Sequence, residues 1–246
     1  MPLSPARTLK VFRYAMYFNG VSDYVEDGYV GKYVSNDFTI SLWLLKPIWR
    51  NAIENIITNH QAYVDNDYSF QIVWIRDRLV FAWAPGAWTY ITLTLSPPQG
   101  RWFTLMFSYS KSSNRWWYYE DGVLRNSGTA NIVLGESNKR LQIGREINVN
   151  YYHGYIAQVL IYNRVLSDSE ILWNYQYPDD PIRDGLVLWL QASPENVKDI
   201  DGDGVLEWID LSGNNNHGKV YGARLVELAK APARVLTPVR VSSPVR

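Results

Sequence analysis

The chain has 246 residues, and its 24 Lys and Arg balance 24 Asp and Glu, so no overall basic field is available to hold nucleic acid. It has no cysteine, which excludes disulfides, zinc-thiolate sites and thiol nucleophiles. Apolar residues make up 47%, enough for a sizeable core, and the aromatic share of 15%, with 11 Trp and 18 Tyr, suits pleated β faces.

In chain order, Tyr14–Asn19 reads as an apolar strand, Asn19-Gly20 as a turn, and Tyr24–Val25 as a second short strand. Asp37–Leu45 alternates Phe38, Ile40, Leu42 and Leu44 against Thr39, Ser41 and Trp43, the period-two pattern of a half-buried strand. Pro47–Asn59 interrupts the strand pattern and is read as a short helix. Further strands are expected at Ser69–Ile75, Arg78–Ala84, Trp88–Leu95, Trp102–Tyr109, Arg115–Tyr119, Leu141–Gly144 and Tyr155–Tyr162. Pro85-Gly86 supplies turn chemistry between two of them. Asp121-Gly122 closes a tight hairpin, because both residues tolerate the positive φ of a type I′ turn. Ser167-Asp-Ser-Glu170 is a capping box that opens a short helix near 167–175. Many short strands with almost no helix argue for an antiparallel two-sheet sandwich.

Taken together, these blocks resemble a known family. A Trp-led strand (Trp102–Tyr109) precedes a strand ending in an Asp-Gly turn (Arg115–Val123). An Ile143-Gly144 strand follows, and then the ending Tyr162-Asn-Arg-Val-Leu-Ser-Asp-Ser-Glu170. Their order resembles the laminin-G-like (concanavalin A-like) jelly-roll superfamily of lectins and glucanases, over roughly residues 12–175. The resemblance implies a jelly-roll sandwich that binds sugars or proteins at surfaces.

Gly185–Leu190 followed by Trp208–Gly218 is similar to the segment that opens such a domain, yet here it stands after the ending. Three arrangements are open: completion of the same sandwich, donation to a neighbouring subunit, or the stump of a second domain. The expected organisation is an N-terminal arm (1–10), the jelly-roll core (11–180), a strand and acidic-loop segment (181–228) and a C-terminal arm (229–246). That last arm repeats every six residues as Ala231-Pro-Ala-Arg234, Thr237-Pro-Val-Arg240 and Ser243-Pro-Val-Arg246, and Ser4-Pro-Ala-Arg7 matches it. It reads either as a flexible linker of biased composition or as an arm that docks along a neighbour.

Two constellations carry candidate chemistry. Asp199, Asp201, Asp203 and Asp210, with the Val205 carbonyl, have the spacing of a calcium loop, in which one tight turn supplies the oxygens that calcium takes at about 2.3–2.6 Å. Asp210 is shorter than the Glu usual at the last position, and a metal-free Asp-Gly turn is the plainer reading. Asp23 is a weaker ligand candidate. The second constellation is aromatic: Trp83, Trp88, Trp116, Trp117, Tyr119, Tyr151 and Tyr152 are candidate stacking platforms for a sugar. Adjacent aromatics on a strand must point to opposite faces, so one of each pair is expected to face out.

Signals for catalysis are poor. A glycosidase needs two facing carboxylates, and the Glu-x-Asp-x-x-Glu strand of some members of the resembled family is absent. His60, His153 and His217 stand apart from any Ser or Cys motif. No transmembrane helix is expected, and the first eight residues lack the apolar stretch of a cleavable signal. The expectation is a non-catalytic binding module for glycan or surface protein, at an extracellular or virion surface, with calcium as a possible cofactor. The alternative is a structural subunit of a virion or extracellular assembly that self-associates through its arms; a glycoside hydrolase is a remote third.

Overall fold

The computed structural model describes residues 12–28, 30, 34, 36–48, 50–59, 69–84, 89–134 and 140–228. Strands are numbered in chain order. One sheet has eight strands: β1 (Tyr14–Asn19), β3 (Phe38–Leu45), β8 (Trp102–Ser110), β9 (Arg115–Glu120), β10 (Val123–Thr129), β12 (His153–Tyr162), β13 (Leu186–Gln191) and β17 (Arg224–Glu227). Its order is β10-β9-β8-β3-β12-β1-β17, with β13 also on β12. The other has nine: β2 (Tyr24–Glu26), β4 (Ile53–Thr58), β5 (Ser69–Ile75), β6 (Arg78–Ala84), β7 (Thr89–Thr94), β11 (Gln142–Ile143), β14 (Val197–Lys198), β15 (Glu207–Trp208) and β16 (Gly218–Tyr221). These run in the order β14-β15-β16-β2-β11-β4-β5-β6-β7. The fold is an all-β, antiparallel two-sheet jelly-roll sandwich with one short helix, α1 (Asp168–Gln176), among the described residues.

The inward faces meet in one core. Phe38, Ile40, Leu42, Phe103, Leu105 and Phe107 from the first sheet pack on Phe70, Ile72, Trp74, Leu79 and Phe81 from the second. Phe81 and Phe107 stack across the sheets with ring centroids 4.2 Å apart. Each fully buried Phe or Leu contributes roughly 1.5–3 kcal/mol relative to exposure.

Strand β3 is not half-buried as its alternation predicts; Thr39, Ser41 and Trp43 on its outward face are buried too. The reason is α1, which covers that face: Trp43 stacks on Tyr175 at 5.6 Å. The Tyr-Asn-Arg ending holds the helix there. Arg164 grips Glu170 with two hydrogen bonds of 3.0 and 2.7 Å, the Ser167–Glu170 capping box is formed, and Thr39 Oγ1 donates to the Arg164 carbonyl. The residues that carry the resemblance therefore fix architecture.

The short helix expected within Pro47–Asn59 is absent; Ile53–Thr58 forms β4. A β-bulge between Asn55 and Ile57 breaks its alternation, which hides the strand period. The bulge leaves Glu54 aimed inward, where it pairs with the buried Lys46. Asp121 and Gly122 hold φ of 52° and 72°, as a type I′ turn requires.

Residues 181–228 pair within their own chain: β13 with β12, β16 with β2, and β17 with β1. Strand β12 shows how. One edge is taken by β3; the opposite edge is shared end to end, β1 at residues 153–156 and β13 at 158–162. The Pro85-Gly86 turn and the arms at 1–10 and 229–246 lie outside the described residues.

Candidate functional site

The outward face of the nine-stranded sheet is the surface on which polar and aromatic side chains converge. The register places Lys198, Glu207, Lys219, Glu26, Gln142, Thr58, Gln71, Ala82 and Tyr90 in one row, each opposite the next on the neighbouring strand. Val25, Ile143, Val220 and Trp208, one position along, point into the core, so the pleat sends the row outward.

Next to this row stands a three-layer stack. The Tyr24 and Tyr221 rings lie 4.5 Å apart and 13° from parallel. The Arg145 guanidinium carbon sits 3.3 Å from the Tyr24 centroid. Groups this close to one ring cannot share a face, so Tyr24 is sandwiched and Tyr221 ends the stack, partly exposed. Arg145 is held by Gln142 Oε1 (3.3 Å), Asn148 Oδ1 (3.1 Å) and Glu26 (3.8 Å). Burial raises the Tyr24 phenol above its ordinary value, opposed by the Arg145 charge.

The middle of the face is rich in amides. Asn55, Thr58, Gln71 and Gln142 are buried. Asn55 Nδ2 donates to Gln71 Oε1, while Asn55 Oδ1 is buried with no hydrogen-bond partner. Beyond it, Tyr90 stands 57% exposed on β7. Ile147 holds a φ of +49° in the loop that carries Arg145 and Asn148, a strained conformation for a β-branched residue.

The acidic loop borders this face. Asp199, Asp201 and Asp203 are exposed, and one ligand oxygen from each lies within 4.8 Å of the others. Asp199 accepts from the Gly202 and Gly204 amides, and the Val205 amide donates to Asp203. Lys219 Nζ donates to Asp203 Oδ2 at 2.9 Å, which lowers the Asp203 carboxyl below its ordinary value and raises Lys219. An all-oxygen trio suits a hard cation such as calcium. Asp210 does not join it. Its buried carboxylate accepts from the Trp189, Ser212 and Asn216 amides and from Ser212 Oγ, and its own amide donates to His217 Nδ1. Asp23 accepts from the Asn19 amide and is likewise committed to its turn.

The expected aromatic platforms fall elsewhere. Trp83, Trp116 and Tyr152 lie in the central core, and Tyr119 is buried beneath α1, its hydroxyl donating to Asp168 at 2.7 Å. Trp117 is half-buried on that same covered face, beneath Arg115. Tyr151 is half-buried beside Asn55, and Trp88 lies outside the described residues. Adjacent aromatics do split between faces, but the part of the eight-stranded sheet's outward face that holds Trp117 and Tyr119 packs with α1 instead of lying open to solvent. Tyr24, Tyr221 and Arg145 were missed; outward positions in the alternations Tyr24-Val25-Glu26 and Lys219-Val220-Tyr221 were the available signal.

The concanavalin A-like lectin/glucanases superfamily profile matches residues 18–172, more than half of the sequence. The chain belongs to this superfamily. Two solved structures share its jelly-roll fold. A Bacteroides ovatus protein, described as a carbohydrate-binding candidate, matches 91% of this chain at a TM-score of 0.70 and 16% identity. The chain spans only 62% of that protein. The CBM40 domain of a Ruminococcus gnavus IT-sialidase, solved with α2,3-sialyllactose, matches 63% of this chain and 95% of its own at a TM-score of 0.50 and 14% identity. No curated protein sequence matches the chain. No helix among the described residues is long and apolar enough to cross a membrane.

Proposed function

We propose that this superfamily member is a non-catalytic binding module that takes a glycan on the outward face of its nine-stranded sheet. The observation that carries the reading is the Tyr221–Tyr24–Arg145 stack on the same face as the buried amides of Asn55, Gln71 and Gln142. A flat ring end accepts the apolar face of a pyranose, and side-chain amides pair with its hydroxyls. Superfamily membership and the sugar-related descriptions of the two solved structures lend support. Such a role suits an extracellular surface. Calcium, in this reading, rests on Asp199, Asp201 and Asp203, since Asp210 serves its own turn.

The test is a glycan array followed by calorimetry with the best ligand. Saturable binding that Tyr221→Ala weakens supports the site. Binding untouched by Tyr221→Ala and Gln71→Ala places it elsewhere, and an array with no hits, with or without calcium, removes the glycan reading.

A further inference from the structure

The connections β1–β2, β3–β4, β5–β6, β7–β8, β9–β10 and β11–β12 all fall at one end of the sandwich, because neighbouring strands run antiparallel. Hydrogen bonds tie the six together. Arg50 Nη1 donates to the Gly20 carbonyl (3.3 Å), the Asn55 amide to the Asn150 carbonyl (2.6 Å) and the Arg76 amide to the Ala52 carbonyl (3.0 Å). The Gly100 amide donates to the Lys46 carbonyl (2.8 Å), and Arg101 Nη1 donates to Asp121 Oδ2 (2.7 Å).

Exposed aliphatic side chains gather on this end. Val21, Ile48, Ile53, Leu95, Val123 and Val149 lie in these connections or on the strand residue beside one, and each is between 45% and 68% exposed. They account for six of the thirteen large apolar side chains exposed among the described residues. A single exposed aliphatic is ordinary, but a set gathered at one end marks an interaction surface. All six are Val, Ile or Leu and come from five connections. That suits shallow entry among acyl chains, whereas the centre of a protein interface is enriched in aromatic anchors.

Charge points to the same occupant. The cations exposed or half-exposed at this end are arginines: Arg50, Arg76, Arg78, Arg101 and Arg224. The carboxylates there are withdrawn. Asp23, Glu54 and Glu146 are buried, Asp77 pairs with Arg78, and Glu120 and Asp121 pair with Arg101. Arg76 and Arg224 stand outside these ion pairs, and Arg50 has its carboxylate partner on the buried side. Guanidinium groups beside aliphatic tips match phosphates above an acyl layer. Asp199, Asp201 and Asp203 stand apart, at the β14–β15 edge of the nine-stranded sheet.

We infer that this end of the sandwich rests on a lipid bilayer, with its aliphatic side chains in the acyl boundary and its arginines on the phosphates of anionic lipid. The proposal does not depend on the glycan reading, because none of the six aliphatic residues belongs to the Tyr221–Tyr24–Arg145 stack.

The experiment is co-sedimentation of the full chain with vesicles of phosphatidylcholine, alone or mixed with phosphatidylserine, in the presence of a calcium chelator. The expected result is binding to the mixed vesicles and weaker binding to phosphatidylcholine alone. The Val21→Ser, Ile48→Ser, Val149→Ser triple variant should keep its melting temperature and bind both about tenfold more weakly or worse. Arg76→Gln should weaken binding to the mixed vesicles alone, about fivefold. A parent that stays in the supernatant with both compositions overturns the proposal, as does binding that the Ser triple variant retains in full. Binding that appears only when calcium replaces the chelator, and is lost in Asp201→Ala, also overturns it and assigns lipid to the acidic loop. A parent that ignores vesicles but self-associates, with a monomeric Ser triple variant, overturns it too and assigns the surface to a second copy of the chain.

Discussion

Arg145 lies flat against Tyr24, its guanidinium carbon 3.3 Å from the ring centroid, and so braces the two-tyrosine stack from behind. The arrangement makes Tyr221 the contact surface and Arg145 its support. Tyr221→Ala should weaken glycan affinity about two- to twelvefold, the effect of losing roughly 0.5–1.5 kcal/mol of stacking. Arg145→Lys, which keeps the charge and loses the planar contact, should cost less affinity than Tyr221→Ala and leave the melting temperature nearly unchanged. Calorimetry on the three proteins ranks them. Equal affinity across all three would remove the stack from the site.

If Asp199, Asp201 and Asp203 hold calcium, the ion competes with Lys219 for the Asp203 charge. Added calcium should then raise the melting temperature, Asp201→Ala should abolish the rise, and Lys219→Met should enlarge it. A parent with no calcium-dependent rise by scanning calorimetry leaves the loop as an ordinary acidic turn.

Lys46 is fully buried and Glu54 nearly so, and the pair is completed by the His153 carbonyl at 2.8 Å and by Arg50. Glu54→Ala leaves a buried cation without its partner and should cost about 3–5 kcal/mol in urea unfolding. The Lys46→Met, Glu54→Leu double variant should recover most of that loss. A double variant no better than the single one would show that the pair is irreplaceable.

Arg164 holds the Glu170 carboxyl down to about 2, against an ordinary value of 4.5. A depressed folded value means that the folded state stays ionised where the unfolded chain protonates. This stabilisation is present above about 4.5 and is lost as pH falls through about 2. Glu170→Gln should therefore flatten the acid limb of the stability profile. A parallel acid limb in parent and variant would contradict this.

Asp27 has the opposite sign. Burial raises its carboxyl well above 3.8, and its Oδ2 is buried without a partner. The folded state keeps a proton that the unfolded chain releases, so stability is full below 3.8 and falls as pH rises through the folded value. Asp27→Asn should raise the melting temperature at neutral pH and have little effect below 3.8. A variant less stable than the parent at neutral pH would count against a buried neutral carboxyl.

The sheets were legible where alternation was clean and the turn chemistry explicit. Phe38–Leu45, Ser69–Ile75, Arg78–Ala84 and the Asp121-Gly122 hairpin stand where their residues put them. Strand β4 was not legible, because its bulge shifts the period and turns Glu54 inward. The candidate site was hidden for a different reason. Tyr24, Arg145 and Tyr221 meet because β11 and β16 pair with opposite edges of β2, contacts between distant segments that no local pattern encodes. The doublets Trp116-Trp117 and Tyr118-Tyr119 drew attention by composition, yet the helix that covers their outward face is specified by Arg164 and Glu170, some fifty residues on.

The divided edge of β12 has a practical meaning for anyone who dissects this protein. The superfamily match ends at residue 172, but half of that edge belongs to β13, and both β2 and β1 have their outer partners in residues 218–227. A fragment cut off at residue 172 would expose three unpaired strand edges and the apolar face beneath Trp189 and Trp208, inviting aggregation. The stretch that the superfamily profile matches is shorter than the stretch whose strands pair in this fold. Shuffling, truncation or grafting has to respect the longer boundary.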